Sequence, residues 1–113
     1  MSGYFQFSHR RLDVYHVAVQ FVTFVDRIPP RWFAGRADRR VQLARAADSI
    51  VLNIAEGASQ APSKAKFNHY RIALASAGEC DAILQLLAAR RCPVSAGHKL
   101  LARVGAMLWN MRE

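Results

Sequence analysis

The sequence predicts an all-α fold, an antiparallel up-down-up-down four-helix bundle. Three observations carry that expectation. Four stretches repeat apolar residues at spacings of three and four, each stretch ends at a proline-, glycine- or serine-containing break, and the breaks are short enough to return each helix beside its neighbour. With 113 residues, 52% of them apolar, the chain is long enough to bury one core and too short for two, so residues 1–113 form a single domain. The helices are expected at about 12–28, 38–57, 64–91 and 96–112.

Residues 1–11 read as a lead-in, with Ser8 a candidate cap. From Leu12 to Ile28 the many Val and Phe residues would also suit a strand. Projected at the helical angle, however, Asp13, His16, Gln20, Thr23 and Arg27 gather in one polar sector, which a strand would scatter, and helix follows. The apolar arc left over holds Leu12, Tyr15, Ala18, Val19, Val22 and Val25 together with Val14, Phe21 and Phe24. It is wider than one seam requires, so Phe21 and Phe24 are expected at an oligomer interface. Pro29 and Pro30 stop the helix. In the basic connection RWFAGRADR, Trp32 and Phe33 lie among Arg31, Arg36 and Arg39. They either stack on bases or, the plainer reading, plug the end of the core.

The second helix opens near Asp38, a candidate N-cap. Leu43, Ala47, Ile50 and Ile54 form its seam, and Ser49, Asn53 and Glu56 border that seam as polar groups in need of partners. Gly57 is expected to end the helix with a positive φ. Val41, Ala44, Val51, Leu52 and Ala55 make a second apolar sector, which adds Leu52 to the expected oligomer interface.

Ser63 is placed to cap the third helix. Tyr70, Leu74, Ala77, Leu84 and Ala88 make one stripe, and Ala73, Cys80, Ile83 and Leu87 a second, with Ser76 within it and Glu79 at its flank. Pro93 breaks the chain and Ser95 can cap the fourth helix, whose seam reads Leu100, Val104, Met107 and Met111, widened by Leu101 and Leu108. Trp109, opposite that seam, is either half-covered surface or a subunit contact.

Lys and Arg total 16 against 8 acids, a formal charge of +8, which favours an anionic partner, nucleic acid first. Alternating helix directions put Arg27, Arg31, Arg36, Arg39 and Arg40 at the same end as Arg90 and Arg91, and these seven are the candidate nucleic-acid-binding residues. Arg90 and Arg91 also suit the dipole of a helix C-terminus. Arg10, Arg11, Lys64, Lys66 and Arg112 fall at the opposite end. Cys80 and Cys92 lack the spacing of a zinc site or a disulfide framework and read as reduced thiols, as in a cytoplasm. The N-terminus carries no apolar run like a signal peptide, and the apolar stretch from Tyr15 to Ile28 is broken by Gln20 and Asp26, so no membrane span is expected there.

Glu56 and Glu79 could approach one another across the second and third helices, as paired carboxylates that hold metal or transfer protons do. Neither has a histidine three residues on, and His9, His16, His69 and His98 are dispersed. Glu56 and Glu79 are therefore expected to join Ser49, Asn53 and Ser76 in a structural polar network. No catalytic residue, metal or cofactor is expected, and no enzymatic activity.

Gln42-Leu43, Ala46-Ala47, Ser49-Ile50 and Asn53-Ile54-Ala55-Glu56-Gly57, followed by Phe67, Tyr70, Ile72-Ala73, Ser76 and Glu79, resemble the four-helix-bundle proteins encoded in 23S rRNA intervening sequences. Leu12, Val14-Tyr15 and Ala18 match the start of the same pattern, so the resemblance covers roughly residues 12–90. The accessory proteins of diversity-generating retroelements are similar to this family. The resemblance implies a bacterial cytoplasmic protein, a homopentamer of antiparallel bundles, and no assigned catalytic residues. Trp32–Asp38 and the chain after Arg91 have no clear match. The expected function is non-enzymatic binding of RNA or DNA through arginine-rich surfaces. The alternative is an interaction scaffold for a protein partner with no nucleic-acid role.

Overall fold

A computed structural model describes residues 5–113; the first four residues of the expected lead-in lie outside them. A 3-10 turn at Ser8–Arg11 leads into α1 (Asp13–Asp26), and a second one at Pro30–Phe33 leads into α2 (Ala37–Ala58), followed by α3 (Lys64–Ala89) and α4 (Ser95–Asn110). The described residues are helical with no strand. α1 stops at Asp26 rather than Ile28 because Pro29 disfavours helical geometry in the residue before it. Ser63 caps α3 by accepting from the Lys66 amide at 3.2 Å. Asp38 and Ser95 lie inside the first turns of α2 and α4 instead of capping them.

The helices neighbour one another in the order α1, α2, α3, α4 and back to α1. Side chains meet in opposite order along the two helices of each seam. Ser49 meets Ser76, whereas Gly57, two turns later, meets Tyr70. Phe24 lies over Gly97 while His16 shares a groove with Arg103, and Asp81 faces His98 while Leu74 lines a groove with Trp109. With α2 against α3, α3 against α4 and α4 against α1 all antiparallel, the bundle closes as up-down-up-down.

Each helix contributes one buried row: Val14, Val17, Ala18, Phe21 and Val25 from α1; Leu43, Ala46, Ala47, Ile50 and Ile54 from α2; Tyr70, Ala73, Ala77, Cys80, Leu84 and Leu87 from α3; Leu101, Val104 and Leu108 from α4. Full burial of such a branched or aromatic side chain stabilises the fold by about 1.5–3 kcal/mol. In α4 the buried row is Leu101, Val104 and Leu108, and the expected seam residues Leu100, Met107 and Met111 flank it half-buried.

Two expectations need correction. Phe21 does not face another subunit. It is 0% exposed, at the centre of the α1 row, and the arc that remains uncovered carries Val19 instead. Phe24 is half-buried and also engaged within the chain, stacked on Phe21 with ring centroids 6.2 Å apart. α1 is apolar around most of its circumference, so its own periodicity left two candidate inner faces, and packing against α4 selected the one containing Phe21. Gly57, in turn, lies within α2 with ordinary helical geometry; among the described residues the positive φ values are at Gly35 (77°) and Arg91 (66°). The reason for a glycine at 57 is steric, because a Cβ there would sit 2.6 Å from Cε1 of the buried Tyr70 ring.

Candidate nucleic-acid interface

Alternating directions bring the C-termini of α1 and α3 and the N-termini of α2 and α4 to one end of the bundle. Arg27 follows α1, Arg31 sits in the 3-10 turn, Arg36 precedes α2, Arg39 and Arg40 lie in its first turn, and Arg90 and Arg91 follow α3. The link between the two groups is direct: Arg90 Nη2 donates to the Ala34 carbonyl at 2.7 Å, tying the end of α3 to the α1–α2 connection. Arg36 Nη1 donates to the Gly35 carbonyl at 3.0 Å. Six of the seven arginines are exposed and Arg39 is half-buried. Asp26 and Asp38 are the acids nearest to them in sequence, yet among the described residues the ion pair is between His98 and Asp81 alone, at 3.6 Å. None of the seven guanidiniums is neutralised by a carboxylate of the described chain, so their charge is available to an outside anion.

Arg91 has a structural duty as well. Its left-handed φ lets its amide donate to the Ala88 carbonyl at 2.8 Å and the Cys92 amide to the Leu87 carbonyl at 3.1 Å. This is the paired closure that usually places glycine at the turn.

The same end carries an open groove of about 620 Å³ between the last turns of α1, the α1–α2 connection and the chain before α4, lined by Phe24, Arg27, Pro29, Trp32 and Pro93 among others. The two aromatic residues of the connection divide their roles. Phe33 is buried and closes the end of the core, whereas Trp32 stays half-exposed as a wall of the groove.

On the α2/α3 seam, Ser49 Oγ and Ser76 Oγ lie 2.8 Å apart, and Asn53 Nδ2 donates to the Ser49 carbonyl at 2.9 Å and to Ser49 Oγ at 3.1 Å. With Nδ2 occupied as donor, Asn53 Oδ1 accepts from His69 Nδ1 at 3.1 Å, so that ring nitrogen carries the hydrogen. The network is therefore Ser76, Ser49, Asn53 and His69. Glu56 and Glu79, expected in it, are exposed and outside it. The antiparallel register explains why: Glu56 stands opposite the start of α3, and Glu79 lies about ten residues further along, on the order of 15 Å by helical rise. The carboxylates are not brought together. His69 was legible only through the packing of α3 on α2: Asn53 lies one turn along α2 from Ser49, and His69 lies two turns before Ser76, so the two side chains bridge an offset of about one turn.

At the opposite end Lys66 Nζ donates to the Gly57 and Gln60 carbonyls at 3.2 and 3.1 Å, bracing the turn that follows α2. Arg112 stacks on the Trp109 ring, 3.7 Å from its centroid. These two cations are committed to structure. Among the described residues no group of three or more His, Cys, Asp or Glu side chains could hold a metal ion. Burial, with a smaller push from the neighbouring Glu79 carboxylate, raises the Cys80 thiol to about 12, so Cys80 is not a nucleophile at neutral pH.

No curated protein and no solved structure matches this sequence. The family model of the 23S rRNA-intervening sequence protein matches residues 10–105, a span that takes in the Ser49–Asn53–Gly57 face, its partners on α3 and most of α4. A four-helix chain matched over most of its length in this way belongs to the 23S rRNA-intervening sequence protein family.

Proposed function

We propose that this protein is a non-enzymatic, basic oligomer that binds RNA or DNA through the arginine-rich end of its bundle. The observation that carries this reading is the gathering of Arg27, Arg31, Arg36, Arg39, Arg40, Arg90 and Arg91 at one end with no carboxylate paired to them among the described residues. Arginine forks suit phosphate oxygens, and contacts of that kind read the backbone with little regard to base sequence. Membership in a family described by 23S rRNA intervening sequences agrees with an RNA-related role. A cytoplasmic, bacterial setting is part of the same proposal.

The test is binding to duplex and structured RNA as a function of salt, with Arg31, Arg36, Arg39 and Arg40 then replaced by alanine together. The slope of log affinity against log salt should become shallower by about 0.7–0.9 for each phosphate that the variant no longer neutralises. Undetectable binding at low salt, or affinity unchanged in the variant, ends this reading.

A second reading, an assembly surface for protein, has its own observation. Val41 and Leu52 on α2 are 55% and 62% exposed, and Ile72 and Leu86 project from α3. Exposed apolar residues grouped on adjacent helices mark an interface. We assign them to self-association, five subunits by the family resemblance, and a different protein partner is the alternative occupant.

A further inference from the structure

We propose that the groove at the arginine-rich end receives an unpaired nucleobase, so that the protein prefers single-stranded or looped nucleic acid to duplex. The inference rests on the nucleic-acid reading above and adds to it the kind of nucleic acid bound. Trp32 presents an aromatic wall that the core leaves half-uncovered. Phe24 lies against the other side of the groove and is held there by α4. Its ring occupies the space where a side chain at Gly97 would be, so an alanine at that position would collide with it. The floor is stiff. Pro29 and Pro30 fix the backbone, and the Trp32 amide donates to the Pro29 carbonyl at 3.0 Å, so little conformational freedom is lost when a ligand enters.

Charge selects the occupant. Arg27 lines the groove, Arg31 adjoins Trp32 in sequence, and Arg90 is anchored to Ala34 beside them. An apolar peptide would leave these guanidiniums without partners, and a simple anion would leave the aromatic wall bare. A nucleotide strand satisfies both, with a base on the rings and phosphates on the arginines. In a duplex the bases are stacked and paired, so only an unpaired base can enter.

The experiment uses the full chain carrying Trp109→Phe, so that fluorescence reports Trp32 alone. The probes are a mixed-sequence oligoribonucleotide, the matching oligodeoxyribonucleotide and their duplexes. Trp32 emission should be quenched by single strands of either sugar and not by duplex. Trp32→Leu should weaken single-strand binding about tenfold and leave duplex binding unchanged, whereas Trp32→Phe should retain most of the single-strand affinity. Helical content and melting of each variant establish that it is folded; if the leucine variant is not, the Trp109→Phe chain, in which Trp32 is intact, decides alone, and Trp32 emission that single strands do not quench, or that duplex quenches equally, overturns the groove proposal. If Trp32→Phe binds no better than Trp32→Leu, or if single-strand and duplex affinities respond alike to Trp32 and also fall with Arg31→Ala and Arg36→Ala, the groove proposal fails while phosphate binding stands. If no strand binds at low salt, the underlying nucleic-acid reading fails, and the groove proposal with it.

Discussion

Gly57 is the residue whose role is most altered by its surroundings. The absence of a Cβ lets Tyr70 close over α2, and the carbonyl of the same residue accepts from Lys66 Nζ, whose ammonium also lies 5.6 Å from the centre of the Tyr70 ring. Gly57→Ala would gain up to about 1 kcal/mol of helix propensity but overpack a buried ring at a cost of about 1–3 kcal/mol, so overpacking wins. Chemical denaturation should show a net loss of about 1–2 kcal/mol. Cys80 gives a second residue-scale expectation. An alkylating reagent at neutral pH should label Cys92, which is half-buried, and spare Cys80, which is fully buried. The Cys80 thiol stays protonated in the fold up to about 12, against an ordinary 9. Its contribution to stability is therefore complete below pH 9 and is lost as the pH rises from there through about 12, a decline that Cys80→Ala should reduce but not abolish, because burial also raises the Tyr70 phenol. Denaturation midpoints measured between pH 8 and pH 11 with each form check this.

At the scale of the element, the end of α3 shows one residue serving two demands. Arg91 occupies the left-handed position of a helix-ending turn, where a non-glycine residue costs about 1 kcal/mol or more, and it also adds positive charge to the basic end. Arg91→Gly should raise stability by about 1 kcal/mol while lowering affinity for nucleic acid. Opposite changes in thermal melting and low-salt binding are the readout. A parallel loss of both would mean that the Arg91 side chain stabilises the turn, contrary to this account. The contrast between α1 and α2 is also instructive. Each is apolar on more than one side, but α1 sets the half-buried Phe24 against Gly97 of α4, whereas α2 leaves Val41 and Leu52 uncovered. Amphipathic width by itself does not tell a subunit interface from a helix with two neighbours.

For the whole molecule, those uncovered residues set the expected assembly. Solution mass should exceed that of one chain, and Val41→Asp with Leu52→Asp should reduce it to a helical protomer. Phe21→Asp should instead unfold the protomer, since Phe21 is a core residue. A monomeric wild-type chain would sink the assignment of Val41 and Leu52 to self-association. Assembly would also raise the local density of arginine-rich ends, and several weak phosphate contacts joined in one particle bind more tightly than any of them alone.

The class of fold, the separation of its helices and the polar row Ser49–Asn53 were legible in the sequence, because helical periodicity and prolines act over a few residues and need no partner to be read. The cluster of arginines was legible too, since alternation of four short-linked helices dictates which ends meet. Tertiary structure alone decided which face of α1 turned inward, that His69 completes the polar row in place of Glu56 and Glu79, that Gly57 is needed for Tyr70, and that Trp32 faces the groove while Phe33 enters the core. Each of these depends on register and on which side of a helix finds a neighbour, and a rotation of a helix about its axis exchanges buried positions for exposed ones without altering the helix's own pattern.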